Sequence, residues 1–386
     1  MSKSKKRKGN PFRTVLILTI LFAVLAVGCY VAMQRTDEMA QAELTALQDE
    51  VRARNQIAEQ QYASELAEFQ YQQQQSGGAN HAWPTPAGQG WEVLDLTNYP
   101  LEVPQTQQVE RQEALYNGML LVNEWHSRPA DFSEETLESA SRRSGGVIRV
   151  SANTLKLFPA AIDAWTELLT AAKVQKGYET FMLQEGYRSY ADQEKLFNAR
   201  KDKLKSNYSD DDALIEATKK YVNYPGTSEF NSGLTATIRL YKSGDSSVNE
   251  KDSNFFTSEE GVWLVENAYK YGFVFRFPKG DYPVAGTQDK SYKTGVNATL
   301  RAFRYVGPGN AAAMKALDMC MEEYIEYLTE HPHIAVFSDG ELKYEIVRQY
   351  VGDAEMFDVS VTSKAGVKDT DISLDNMGYV VSVFSY

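Results

Sequence analysis

The sequence predicts an α+β domain held outside a membrane, and three observations carry that reading. Strand-like and helix-like stretches alternate between residues 91 and 330 without a regular βαβ repeat, which argues against a doubly wound parallel sheet. Residues 331–386 alternate apolar and polar side chains in the manner of successive strands. Ahead of both lies TVLILTILFAVLAVGCYVAM at 14–33, an uncharged run matching the roughly 20 residues that cross a bilayer.

The elements follow in order. Residues 1–13 form a basic tail with six cationic side chains (Lys3, Lys5, Lys6, Arg7, Lys8 and Arg13). The positive-inside rule therefore places the N-terminus in the cytoplasm and everything after about residue 36 outside, as a single-pass protein of the plasma membrane. A cleaved signal peptide needs a shorter apolar core. A lipid-modified Cys29 needs a larger aliphatic than Ala26 three positions before it. An uncleaved anchor is the preferred reading. Residues 37–75, rich in Ala, Glu and Gln, predict a helical stalk. Leu44, Leu47 and Val51, then Tyr62, Leu66 and Phe69, give a partial heptad seam that Arg54 interrupts, so a single solvated helix and a self-associating homo-oligomer both remain open. SGGANHAWPTPAGQG at 76–90 is a flexible linker.

The main domain is predicted over 91–330. Leu120–Val122 reads as a strand, 151–174 as an amphipathic helix, 180–183 as a strand and 190–203 as a helix. Asp210, Asp211 and Asp212 open a further helix on the positive end of its dipole. A strand at 234–241 follows, then a capping box over Thr257–Glu260 starting a helix that ends near Gly272. Strands near 273–277 and 303–306 precede one long helix, 309–329. The tail, 331–386, is predicted as a small β extension.

Composition excludes some functions. The net charge is −12, and removing the six positive charges of residues 1–13 leaves −18 outside. Nucleic acid, which needs a basic surface, is excluded as a partner. Cys29 and Cys320 fall in the membrane run and in a helix, so no disulfide framework is expected. A catalytic zinc site needs three protein ligands and an open position. Of four histidines, His81 lies in the linker and His126 beside Trp125, while His331 and His333 bracket a proline with no third ligand in view. No G-x-S-x-G elbow and no phosphate-binding loop is present. Residue chemistry alone reaches an exterior α+β domain without a recognisable catalytic set.

Four ordered segments nevertheless resemble the VanY-type D-alanyl-D-alanine carboxypeptidases, zinc enzymes that trim the terminal D-alanine from bacterial wall peptides. GYRSYADQ at 186–193 is similar to their G-Y-R-S-Y-x-x-Q. PGTSEFNSGLTATI at 225–238 is similar to P-G-x-S-E-H-x-x-G-L-A-x-D-I. WLVENAYKYGF at 263–273, continuing to RFPKG, resembles W-L-x-x-N-A-x-x-Y-G-F with R-Y-P-x-G. TGVNATLRAFRYVG at 294–307 is similar to T-G, three residues, then E-P-W-H-F-R-Y-V-G. The resemblance spans about 95–330 and implies the VanY fold.

It also implies where the chemistry stood. The family's three zinc ligands, His, Asp and His, fall on Phe230, Thr237 and Ala302, and its catalytic Glu falls on Thr299. Leu300 and Arg301 replace an intervening Pro-Trp. Phe and Ala have no lone pair for a metal, so loss of the zinc cofactor and of the activity is the expectation. Tyr187, Arg188, Ser189, Gln193 and Ser228 match the family's substrate-lining positions, and Arg188 is placed to hold a peptide carboxylate. Retention for packing alone is the competing reading, and Glu185, where the family usually has Ser, is positioned to neutralise Arg188. The resemblance implies an extracellular pseudoenzyme on the cell-wall side, binding a peptidoglycan stem peptide or a cell-wall protein. Two alternatives stand beside it: a peptidase active through an unforeseen site, and a structural module acting through stalk and β tail.

Overall fold

The computed structural model describes residues 83–386 apart from Thr85 and Ala87. The predicted basic tail, the 14–33 span, the 37–75 stalk and most of the 76–90 linker lie outside the described residues. Among the described residues, no helix is long and apolar enough to cross a membrane.

Two antiparallel sheets organise the domain. The first is built from the motif-bearing segments: Phe181–Glu185, Thr235–Leu240, Ala302–Tyr305 and Phe273–Phe275, hydrogen-bonded in that spatial order. The helix Pro159–Lys176 packs on it through Trp165, Leu168 and Ala172, all buried. The predicted start at 151 moves to 159 because Pro159 occupies the first turn, where its missing N–H costs nothing. Gly177 ends the helix in the left-handed conformation. Helices Tyr190–Leu204 and Asp211–Lys219 lie where predicted, capped by the side chains of Ser189 and Asp210. Ser258, rather than Thr257, is the N-cap of Glu259–Asn267, accepting from the Gly261 N–H.

Leu120–Val122 is buried as its composition requires, but it is not a strand. Side chains satisfy its carbonyls instead of a ladder. Arg304 donates to the oxygens of Gly118 and Leu120 at 2.6 and 2.7 Å, and Asn376 to that of Leu121 at 3.0 Å. The predicted helix 309–329 is two, Pro308–Leu317 and Met321–Glu330. Asp318, at φ 52° in the left-handed region, breaks it.

The second sheet has the order Trp91–Asp95, His333–Ser338, Glu341–Tyr350, Tyr379–Ser385, Asp369–Leu374. Met356–Thr362 pairs separately with Pro104–Glu110. The tail is thus β, but strands from either side of residue 331 share one sheet. The helix Pro308–Leu317 contacts strands of both sheets and so ties them together. Its approach is close: a Cβ on Gly309 would lie 2.4 Å from Val383 Cγ1, so only glycine fits.

The edge strand Asp369–Leu374 carries a partly buried carboxylate, Asp371. Burial, reinforced by Asp369, pushes its pKa up from 3.8 to about 6. A raised carboxyl pKa stabilises the fold most below the ordinary Asp range, and that contribution disappears as pH rises through 6. Asp371→Asn is therefore expected to raise stability at pH 7–8, by up to about 3 kcal/mol at 1.36 kcal/mol per pH unit. Melting curves at pH 4 and 8 check this: the variant should gain at pH 8 and not at pH 4.

Candidate functional site

The segment PGTSEF turns at Gly226 and enters a short helical turn, Glu229–Ser232, which Ser228 and Asn231 close as a reciprocal capping pair. Gly233, at φ 73°, turns the chain into the strand Thr235–Leu240; a Cβ there would lie 2.6 Å from the Phe158 ring. This geometry brings two of the altered positions into direct register. Thr237 and Ala302 are direct partners across the ladder, so their side chains share one face. Glu185 is the partner of Thr237 on its other side, and its N–H donates to Thr237 Oγ1 at 3.1 Å.

Phe230 and Thr237 are linked in two steps, through Arg188 and then Glu185. The guanidinium lies 5.0 Å over the Phe230 ring, donates to Glu185 Oε2 at 3.0 Å and donates to Gln193 Oε1 at 2.8 Å. Stacking of this kind contributes about 0.5–2 kcal/mol. Phe230, Thr237 and Ala302 are all buried. Thr299, the fourth position, is exposed.

The remaining predicted residues surround this cluster, each with protein partners. Tyr187 Oη donates to Glu134 at 2.6 Å and accepts from Arg128 at 2.9 Å; burial, then the Glu134 bond, raises its pKa. Ser189 caps its helix and donates to Asp192. Gln193, 1% exposed, also donates to the Asn223 carbonyl. Asn231 reaches back to the Arg188 carbonyl at 2.7 Å.

A zinc ion does not fit these residues. Phe230 and Ala302 offer no donor atom, and the Thr237 hydroxyl already accepts the Glu185 N–H. Among the described residues no group of three or more His, Cys, Asp or Glu is arranged to hold a metal. His331 binds Asp95, and His333 sits between the Tyr99 carbonyl and Glu345.

Beneath the cluster lies a buried charge network that the sequence reading missed. Glu229 accepts from Arg276 Nε at 2.7 Å, Arg304 at 2.6 Å and Thr235 Oγ1 at 2.5 Å. Arg276 turns its other two nitrogens on Glu322, at 2.9 and 2.6 Å. Burial pushes the Glu229 carboxyl up, but Arg276 and Arg304 outweigh it and hold the group below the usual carboxylate range. The available signal was an arginine inside each of two apolar strand ends, FVFRF and AFRYV. Glu229, Arg276 and Arg304 each lie within one of the segments that carry the resemblance, and here each is used to hold the fold.

The comparisons agree with the residue motifs. A family model described as VanY, D-alanyl-D-alanine carboxypeptidase, matches residues 154–306. Residues 154–306 form a VanY-family domain. A D-alanyl-D-alanine carboxypeptidase of Enterococcus faecium is 30% identical over 211 residues, 55% of this chain and 56% of that protein. The chain therefore spans little more than half of that relative's length. The bifunctional D-Ala-D-Ala dipeptidase and carboxypeptidase VanXYC of Enterococcus gallinarum is 28% identical over 45% of this chain and 80% of its own. The solved D,D-dipeptidase VanXYg, in complex with a D-Ala-D-Ala phosphinate analog, has a TM-score of 0.50 at 21% identity, covering 74% of this chain and 100% of that one. At that identity the likeness is one of fold. The VanY scaffold here thus presents an aromatic ring, a methyl group and a hydroxyl where the resemblance places the metal's ligands.

Proposed function

We propose that the chain is a non-catalytic VanY-family protein, anchored by residues 14–33, which binds the D-Ala-D-Ala end of a wall peptide on the outer side of the membrane. The observation that carries this reading is Arg188, kept beside the altered metal positions while stacked on Phe230. Without a metal, no bound water is brought to a pKa near 7 and no carbonyl is polarised. Arg188 has donors of the right geometry for a terminal carboxylate, but Glu185 and Gln193 now occupy two of them. Binding must displace Glu185, so modest affinity is expected.

Titration of the full-length protein with a pentapeptide ending in D-Ala-D-Ala tests the proposal. Saturable binding without release of D-alanine is the expected result. Glu185→Ser, which removes the competing carboxylate, is expected to tighten binding about 10-fold, and Arg188→Ala to abolish it; one charge-assisted hydrogen bond is worth roughly 1.5–3 kcal/mol. No binding by either the native protein or Glu185→Ser would leave the scaffold a structural role only.

A further inference from the structure

A cavity of about 420 Å³, lined by none of Phe230, Thr237 or Ala302, opens between the Asn123–His126 turn, the Ser291–Thr294 turn and the helix Met321–Glu330. Its size falls in the range of small-ligand sites. Two large aromatic side chains line it while remaining open to solvent: Trp125 at 56% and Tyr292 at 66% exposure.

The turn that presents Trp125 is fixed before any ligand arrives. Asn123 and His126 exchange backbone hydrogen bonds, at 2.9 and 3.2 Å. Asn123 Oδ1 accepts from the N–H groups of Trp125 and His126 and faces His126 Nδ1 at 3.0 Å. Asn123 Nδ2 donates to Glu322, which settles the amide orientation. An amide oxygen only accepts, so His126 Nδ1 carries the proton and Nε2 of the neutral ring is an acceptor. Nε2 and the Trp125 indole N–H have no protein partner among the described residues.

The charges lining the cavity are already matched. Lys293 pairs with Glu326 at 2.6 Å, and both oxygens of Glu322 are held by Arg276, with Asn123 on one of them. An ionic ligand gains little here. The lining instead suits an uncharged molecule with a flat C–H face for the rings, an N–H for His126, a hydroxyl for the indole and a methyl group for Leu121, Ile325 and Met377.

We infer that this cavity binds an N-acetylated aminosugar, free or within an oligosaccharide. A pyranose ring supplies the C–H face and hydroxyls, and its acetamido group supplies both the N–H and the methyl. The inference is independent of peptide binding at Arg188.

Calorimetric titration of the full-length protein tests it, in a detergent without a sugar head group, with N-acetylglucosamine, its β-1,4-linked trimer and glucose. Saturable binding of an acetylated sugar below ~20 mM is expected, with glucose at least ~10-fold weaker. Tighter binding of the trimer identifies a glycan as the ligand, and equal affinity identifies the free sugar. Trp125→Ala and Tyr292→Ala should each weaken binding ~10-fold, and the exposed-surface change Val174→Ala should not. Should one aromatic variant misfold, the other keeps the test decisive. Absence of saturable binding, equal binding of glucose, or binding indifferent to both aromatic variants would overturn the inference. Because the sugars carry no peptide, failure here leaves the proposed peptide binding untouched.

Discussion

Glu229→Ala is expected to destabilise the domain by about 3–5 kcal/mol, the cost of leaving buried partner charges uncompensated. Two arginines lose their shared carboxylate at once. Arg276 is 1% and Arg304 0% exposed, so water cannot take its place. Arg276 retains Glu322, whereas Arg304 is left with backbone carbonyls alone. Glu229→Gln keeps the shape and some hydrogen bonds, so it should lose less and remain folded enough to measure. Urea unfolding monitored by tryptophan fluorescence checks both. The depressed Glu229 pKa also sets a pH direction. Its stabilisation is complete above the ordinary Glu value of 4.5 and is lost as pH falls below it. The native protein should therefore weaken in acid, and the alanine variant should show less of that slope. A loss under about 1 kcal/mol for Glu229→Ala would mean that the network does not hold the motifs in place.

The second large effect is a gain. Phe230→His, Thr237→Asp, Thr299→Glu and Ala302→His together are expected to create zinc binding. Thr237 and Ala302 already face each other across the ladder, and Phe230 connects to Thr237 through Arg188 and Glu185. Arg301 does not need to change, although its charge adjoins the site in sequence: Asp252 pairs with it at 2.6 Å, and it stacks near Phe255. An imidazole at the fully buried Ala302 must use space released by the Phe230 ring, at a repacking cost of about 1–3 kcal/mol. Zinc should recover part of that through linkage, so the melting temperature should rise with added zinc. Peptidase activity needs more than zinc uptake, because the groups around the ligands must also orient them, and Leu300 and Arg301 stand where the resemblance places Pro-Trp. A variant that folds but takes up no zinc would show that the three positions no longer converge.

The sequence made the site legible where local pattern and chemistry coincide. The turn at Gly233 and the strand carrying Thr237 could be placed from small-residue signals and β-branched content. That Phe230 and Ala302 carry no metal-donor atom follows from residue type alone. Tertiary partners were not legible. Leu120–Val122 looks like a strand, yet Arg304 and Asn376, distant in sequence, replace its ladder. The break at Asp318 needs a left-handed residue that helical periodicity cannot show. The union of residues 91–95 with 333–338 depends on pairing across most of the domain, which no local window contains. The pairing of Glu185 with Arg188 was foreseeable from charge, but the stacking of Arg188 on Phe230 was not.

A VanY scaffold without its metal chemistry, as proposed above, should neither hold zinc nor release D-alanine. The most direct test combines metal analysis of the purified full-length protein with a D-alanine release assay on a pentapeptide ending in D-Ala-D-Ala, both after dialysis against zinc. No stoichiometric zinc and no D-alanine released above the peptide-only control are expected. Stoichiometric zinc with D-alanine release that a chelator abolishes would contradict that proposal.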